Sequence, residues 1–207
     1  MRKIKLFMAA LAAVLVIATS SWAVDVPFTV SASIPAATGI SIIATQVNAA
    51  NNQFGAQVTA LNFNTMAFNA TNKVWLPDHY FAIDVGATGG AGNPNITVKY
   101  AEGAKPVGQP NGLGFKSIAT FVKITGGPAP ADQIQTDLAA HPKKPLKNIT
   151  AGEVIGNAEI AGGFFRVYIG IYPGGDAALA ALGAEPFTNG DKSGNYDGTL
   201  TITAVLP

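Results

Sequence analysis

The stretch VDVPFTVSASIPA, Val24 to Ala36, alternates apolar and polar side chains over eleven residues. Val24, Val26, Phe28, Val30, Ala32 and Ile34 are apolar, and Asp25, Pro27, Thr29, Ser31 and Ser33 between them are polar or turn-forming. A half-buried β-strand has this period, because successive side chains leave the backbone on opposite faces. Pro27 brings no N–H to a ladder, so the strand is expected at a sheet edge or paired mainly beyond that point. Such a strand can dock into its own sheet or into that of another copy, and the two choices make different molecules.

Upstream, Arg2, Lys3 and Lys5 precede a charge-free apolar run from Leu6 to Thr19, and Ser21-Trp22-Ala23 offers small residues where signal peptidase reads. This three-part pattern marks residues 1–23 as a secretory signal peptide. The apolar run is short of the roughly 20 residues that cross a bilayer, so no membrane span is expected in the mature chain.

Cleavage after Ala23 would leave ten Lys and Arg against twelve Asp and Glu, a formal net charge of −2. The one basic group, Lys143-Lys144 with Lys147, is too small a patch for nucleic acid. The chain has no cysteine, which removes disulfides, thiolate catalysis and Cys-based metal sites. Its 48% hydrophobic content is enough to bury a core, despite 23 glycines and 13 prolines.

Beyond Ala36, apolar segments recur between Gly, Pro and Asn breaks. Strands are expected at 40–44, 58–68, 74–85, 96–100, 115–124, 149–160, 164–172 and 199–206. Short helices are expected within Pro130–His141, ended by Pro142, and over Asp176–Gly183, with Asp as N-cap and Gly after the last turn. Residues 105–114 read as loop. The pattern predicts an all-β, immunoglobulin-like antiparallel β-sandwich with one or two short helices in its connections. Residues 24–35 form its N-terminal strand and 36–207 the sandwich domain.

The chemistry-bearing motifs are weak. His79 beside Asp78 could be half of an acid–base or metal site, but only His141 accompanies it. No Gly-x-Ser-x-Gly is present, and Gly86–Gly92 lacks the Lys-Ser/Thr sequel of a phosphate loop. Asp191, Ser193, Asn195 and Asp197 alternate like calcium-loop ligands, yet Tyr196 stands where that loop needs glycine and no Glu closes it. A plain turn is the better reading. Asn69, Asn95 and Asn148 begin N-x-Thr sequons. Trp75 and Tyr80 could form a ligand platform, although aromatics on strands are more often core. No catalytic constellation emerges, so a non-enzyme without cofactor is expected.

The two ends carry a resemblance. FTVSASIPAATGISI, Phe28 to Ile42, resembles the mature N-terminus of major subunits of chaperone–usher fimbriae, of the cysteine-free colonisation-factor and spore-coat-U-like type. SGNYDGTLTITAVL, Ser193 to Leu206, is similar to the closing strand of those subunits, a Gly-x-Tyr-x-Gly turn leading into alternation. The two segments span about a sixth of the mature chain.

The resemblance implies an incomplete sandwich whose groove accepts the N-terminal strand of the next subunit, with a periplasmic chaperone and an outer-membrane usher as partners. Val24, Val26, Phe28, Val30, Ala32 and Ile34 would be the donor strand. Leu200, Ile202 and Ala204 would wall the acceptor groove, with Thr199, Thr201 and Thr203 outward. Identical subunits would then form an extracellular filament serving adhesion or biofilm. The alternative is a self-contained secreted β-sandwich that binds carbohydrate, its first strand paired in its own sheet.

Overall fold

The computed structural model describes residues 39–64, 66–88, 92–126 and 140–207, together with the backbone of 29–32. The expected signal peptide, Val24, Val26, Phe28, Ile34 and residues 130–139 of the expected helix lie outside the described residues.

The fold is an all-β sandwich. One sheet contains β1 (Thr29–Ala32), β12 (Gly198–Val205), β7 (Asn95–Glu102) and β10 (Glu153–Ile155), in that spatial order. The other runs β3 (Phe54–Val58), β2 (Ile40–Asn48), β6 (His79–Ala87), β11 (Phe164–Ile171), β8 (Ser117–Ile124) and β9 (Lys143–Pro145). A hairpin of β4 (Met66–Asn69) and β5 (Val74–Pro77) lies outside both sheets, and Trp75 bridges it to Phe187. Two short helices, α1 (Leu113–Lys116) and α2 (Ala177–Ala181), sit in connections. All the pairings are antiparallel except that of β1 with β12.

Strand alternation fills the interior. Phe81, Ile83 and Val85 of β6 and Phe165, Val167 and Ile169 of β11 meet Ile96, Val98 and Tyr100 of β7 and Leu200, Ile202 and Ala204 of β12 in one buried cluster. The opposite residues of β6 and β11 face outward, where Val47, Ala82, Val122 and Tyr168 form a second, smaller cluster with Phe54, Tyr80 and Ile124 against it. β11 is buried at nearly every position, as expected of a central strand apolar on both faces.

Several expected boundaries shift. The expected strand at 58–68 overlaps only the end of β3 and the start of β4, and the described residues 59–64 between them form no named strand, with Leu61 and Phe63 fully buried there. Its loose alternation came from loop side chains that plug the core. Asp78 divides the aromatic block at 74–85 between hairpin and sheet. The expected loop at 105–114 leads into α1, and β9 is a three-residue edge strand ending at Pro145, too short to register as a period. At α2 the expected cap is in place: the Asp176 side chain accepts from the N–H of Ala178 and of Leu179, and Gly183 adopts φ +85°.

Candidate functional site

Of the residues singled out at the two chain ends, Val30 and Ala32 meet Leu200 and Ile202 at one sheet edge. β12 pairs antiparallel with β7 over its full length, from Gly198 opposite Glu102 to Val205 opposite Asn95. Leu200, Ile202 and Ala204 are essentially fully buried, whereas Thr199, Thr201 and Thr203 are half-buried between them. The far side of β12 holds β1, parallel, with Val30 in register with Leu200 and Ala32 with Ile202. Only positions 199–202 of β12 have a β1 partner among the described residues, and Val205 is half exposed.

The turn before β12 is fastened by its own residues. Tyr196 is buried edge-on to Phe187 and donates its hydroxyl to the Lys192 carbonyl. Gly103 donates to the Asp197 carbonyl, and Asp197 donates to that of Ala104. This pins the Gly-x-Tyr-x-Gly turn onto the end of β7.

Asp191, the first residue of the weak calcium candidate with Asn195 and Asp197, is engaged by other neighbours. Its Oδ1 lies 2.7 Å from Lys116 Nζ and accepts from Gln109 Nε2, while Oδ2 accepts from the Thr188 N–H and hydroxyl. Both carboxylate oxygens are engaged by these neighbours, whereas Asn195 is exposed. Among the described residues no group of three or more His, Cys, Asp or Glu could hold a metal. Burial works to raise the Asp191 pKa, but the Lys116 ammonium and the Thr188 N–H outweigh it and hold the carboxyl below its ordinary range.

Lys116 itself is 3% exposed, at the C-terminal end of α1. Its Nζ lies 3.4 Å from Glu185 Oε2, donates to the Pro186 carbonyl at 3.2 Å and stands 5.5 Å from the Phe187 ring centroid. Asn111 Nδ2 donates to both Glu185 oxygens. Sequence reading missed this cluster, because Lys116 alternates like any strand-end lysine and nothing local marks its partners.

The proposed platform of Trp75 and Tyr80 is divided between two faces. Trp75 packs against the main core and donates its indole N–H to Asn189, while Tyr80 packs on the outer cluster and donates to Asn52. Consecutive residues of β6 point to opposite faces, so Tyr80 leaves the side on which Phe81 meets the core. Burial, and to a lesser extent Tyr168, pushes the Tyr80 hydroxyl up to about 12.

His79 is also accounted for by packing. Its ring stacks on Phe63 and meets Phe81 edge-on, with one nitrogen on Asp78 and the other on the Asn62 carbonyl. The three sequon asparagines are exposed, and each side chain bonds backbone in a turn or at a strand end.

The outer face of the larger sheet holds a site the sequence did not reveal. Arg166 of β11 is fully buried there, and its Nη2 donates to Asp84 Oδ2 at 2.7 Å while Nε donates to Oδ1. Its guanidinium lies 4.7 Å from the Phe54 ring centroid and 5.5 Å from that of Phe164. Beside the pair is an open cleft of about 290 Å³, whose lining includes Ser41, Ile43, Thr45, Gln57, Asp84 and Phe164. A search against family models, curated proteins and solved structures finds no match.

Proposed function

We propose that the chain is the repeating subunit of an extracellular filament, polymerising head to tail when the N-terminal strand of one copy pairs with β12 of the next. The observation that carries this reading is the state of the β12 edge. Its inward side chains complete the core, yet among the described residues its outer backbone is covered by β1 over four positions, in the weaker parallel arrangement. A partly covered edge beside core residues is a template for strand addition, and an incoming strand in that place satisfies the same backbone groups. Contacts of this kind do not close on themselves, so they extend into a filament. The resemblance of both chain ends to fimbrial subunits supports the same reading, and so does a secreted chain without disulfides. A chaperone and usher would hold the edge until assembly, and adhesion or biofilm would be the use.

A second reading rests on a different observation. β1 is paired within its own chain, and the cleft beside Asp84 offers a carboxylate among hydroxyl and amide groups. This suits a self-contained module that binds a neutral polyhydroxylated ligand such as carbohydrate. The test is the mass of residues 24–207 by light scattering and by unboiled denaturing gel after long incubation. A ladder of detergent-resistant multiples, lost in Val30→Asp while far-ultraviolet dichroism is retained, is the result expected of the filament. A monomer throughout, with the amides of residues 29–32 protected from exchange, overturns it in favour of the binding module.

A further inference from the structure

We infer that Lys116 and Asp191 are the reactants of an intramolecular amide crosslink, closed by loss of water with Glu185 carrying a proton. The inference is independent of the filament reading. It starts from what an ordinary buried ion pair does not require. Lys116 Nζ stands within hydrogen-bond distance of Asp191 Oδ1, one bond from Cγ, on a buried side chain whose nitrogen also meets the Pro186 carbonyl and lies near the Phe187 ring. A second carboxylate, Glu185, lies on the same nitrogen and is oriented by Asn111. One ammonium therefore faces two carboxylates. A simple pair would leave the second redundant, whereas an acyl transfer needs it as a proton carrier.

The geometry also supplies the other parts of such a reaction. The Thr188 N–H at 2.7 Å and its hydroxyl at 3.2 Å both donate to Asp191 Oδ2, where negative charge would collect on addition of the amine. Gln109 Nε2 donates to Oδ1, the oxygen that would leave. Both reactants are held by the fold, and such orientation is worth a large effective concentration.

The steps balance. The ammonium gives one proton to Oδ1, 2.7 Å away, leaving a neutral amine beside a neutral carboxyl. The Nζ lone pair adds to Cγ, and the charge moves onto Oδ2. A second Nζ proton passes through Glu185 to Oδ1, the Cγ–Oδ1 bond breaks, and water leaves. Nζ keeps one hydrogen as the amide N–H, Glu185 returns to its starting state, and nothing is oxidised or reduced. The bond would tie α1, at the start of β8, to the loop that leads into β12. In a chain without cysteine this covalent tie would do the work of a disulfide.

The experiment is mass spectrometry on the folded full chain, intact and after digestion with trypsin. The expected product is a branched peptide joining Lys116 to Asp191, uncut at Lys116 and one water lighter than its two parts. Glu185→Gln is expected to fold and to keep the full mass at this site. Asp191→Asn is expected to give the same branched peptide by losing ammonia. Two linear peptides of full mass from the folded wild-type chain overturn the inference. So does a water loss confined to one linear peptide, which is ring closure at an aspartate, and so does a Glu185→Gln chain crosslinked as fully and as fast as wild type.

Discussion

Arg166 and Asp84 face each other across β11 and β6, and the guanidinium is fully buried on the outward side of the sheet. Both carboxylate oxygens accept from it, and Phe54, Phe164 and Tyr168 surround it. Burial opposes the charge, but the Asp84 carboxylate and the Tyr168 hydroxyl outweigh it, and the guanidinium pKa is raised.

Removing one partner leaves the other buried and uncompensated. Asp84→Ala is expected to lower unfolding free energy by about 3–5 kcal/mol, measured by urea denaturation. Replacing both residues with apolar side chains of similar volume is expected to cost far less. Equal losses in the single and double variants would mean that packing, not charge, sets the effect.

Alkaline pH should unfold the protein over a defined range. Burial raises Tyr80 and Tyr196 from 10.0 to about 12, Tyr100 is raised further by burial and by Glu102, and Tyr168 is raised by burial. A folded pKa above the unfolded value means the protonated form is favoured on folding. The stabilisation is complete below pH 10 and lost as pH rises toward 12. Tyrosinate absorbance should therefore rise late and together with loss of dichroism. Ionisation of Tyr80, Tyr100, Tyr168 or Tyr196 near 10 in a chain still folded would refute this.

Substitutions along β12 should alternate in effect. Leu200→Ala deletes a fully buried side chain and is expected to cost about 2–5 kcal/mol. Thr201→Ala, half-buried on the other face, should stay within about 0.5 kcal/mol of wild type. Gly198→Ala should also be costly, since its new methyl would lie 2.8 Å from Tyr100 Cζ and closer still to the hydroxyl. Denaturant midpoints measure all three, and a uniform response along the strand would contradict the burial pattern.

Much of the fold was legible in order. β2, β6, β7, β11 and β12 stand near where apolar runs and alternation placed them, and each has one face in the main core. The α2 cap was legible for a local reason: Asp176 bonds N–H groups two and three residues ahead. Leu61 and Phe63 misled, since a loop that plugs the core shows the same apolar side chains as a strand. Of the site, the alternating burial of Leu200, Ile202 and Ala204 was legible. The separation of Trp75 from Tyr80 was not, because it depends on the break at Asp78 between a hairpin and a sheet.

The sequence alone determined the β class, the alternation of β12, the turn before it and the α2 cap, all of which depend on residues within a few positions of each other. The tertiary structure decided that β1 lies beside β12, that Arg166 meets Asp84 82 residues away, and that Lys116 meets Asp191 and Glu185. Strand alternation states which face is apolar but not which strand is the neighbour. Neighbours are chosen by how two sheets together bury the most apolar surface with every backbone group paired, a property of the whole chain.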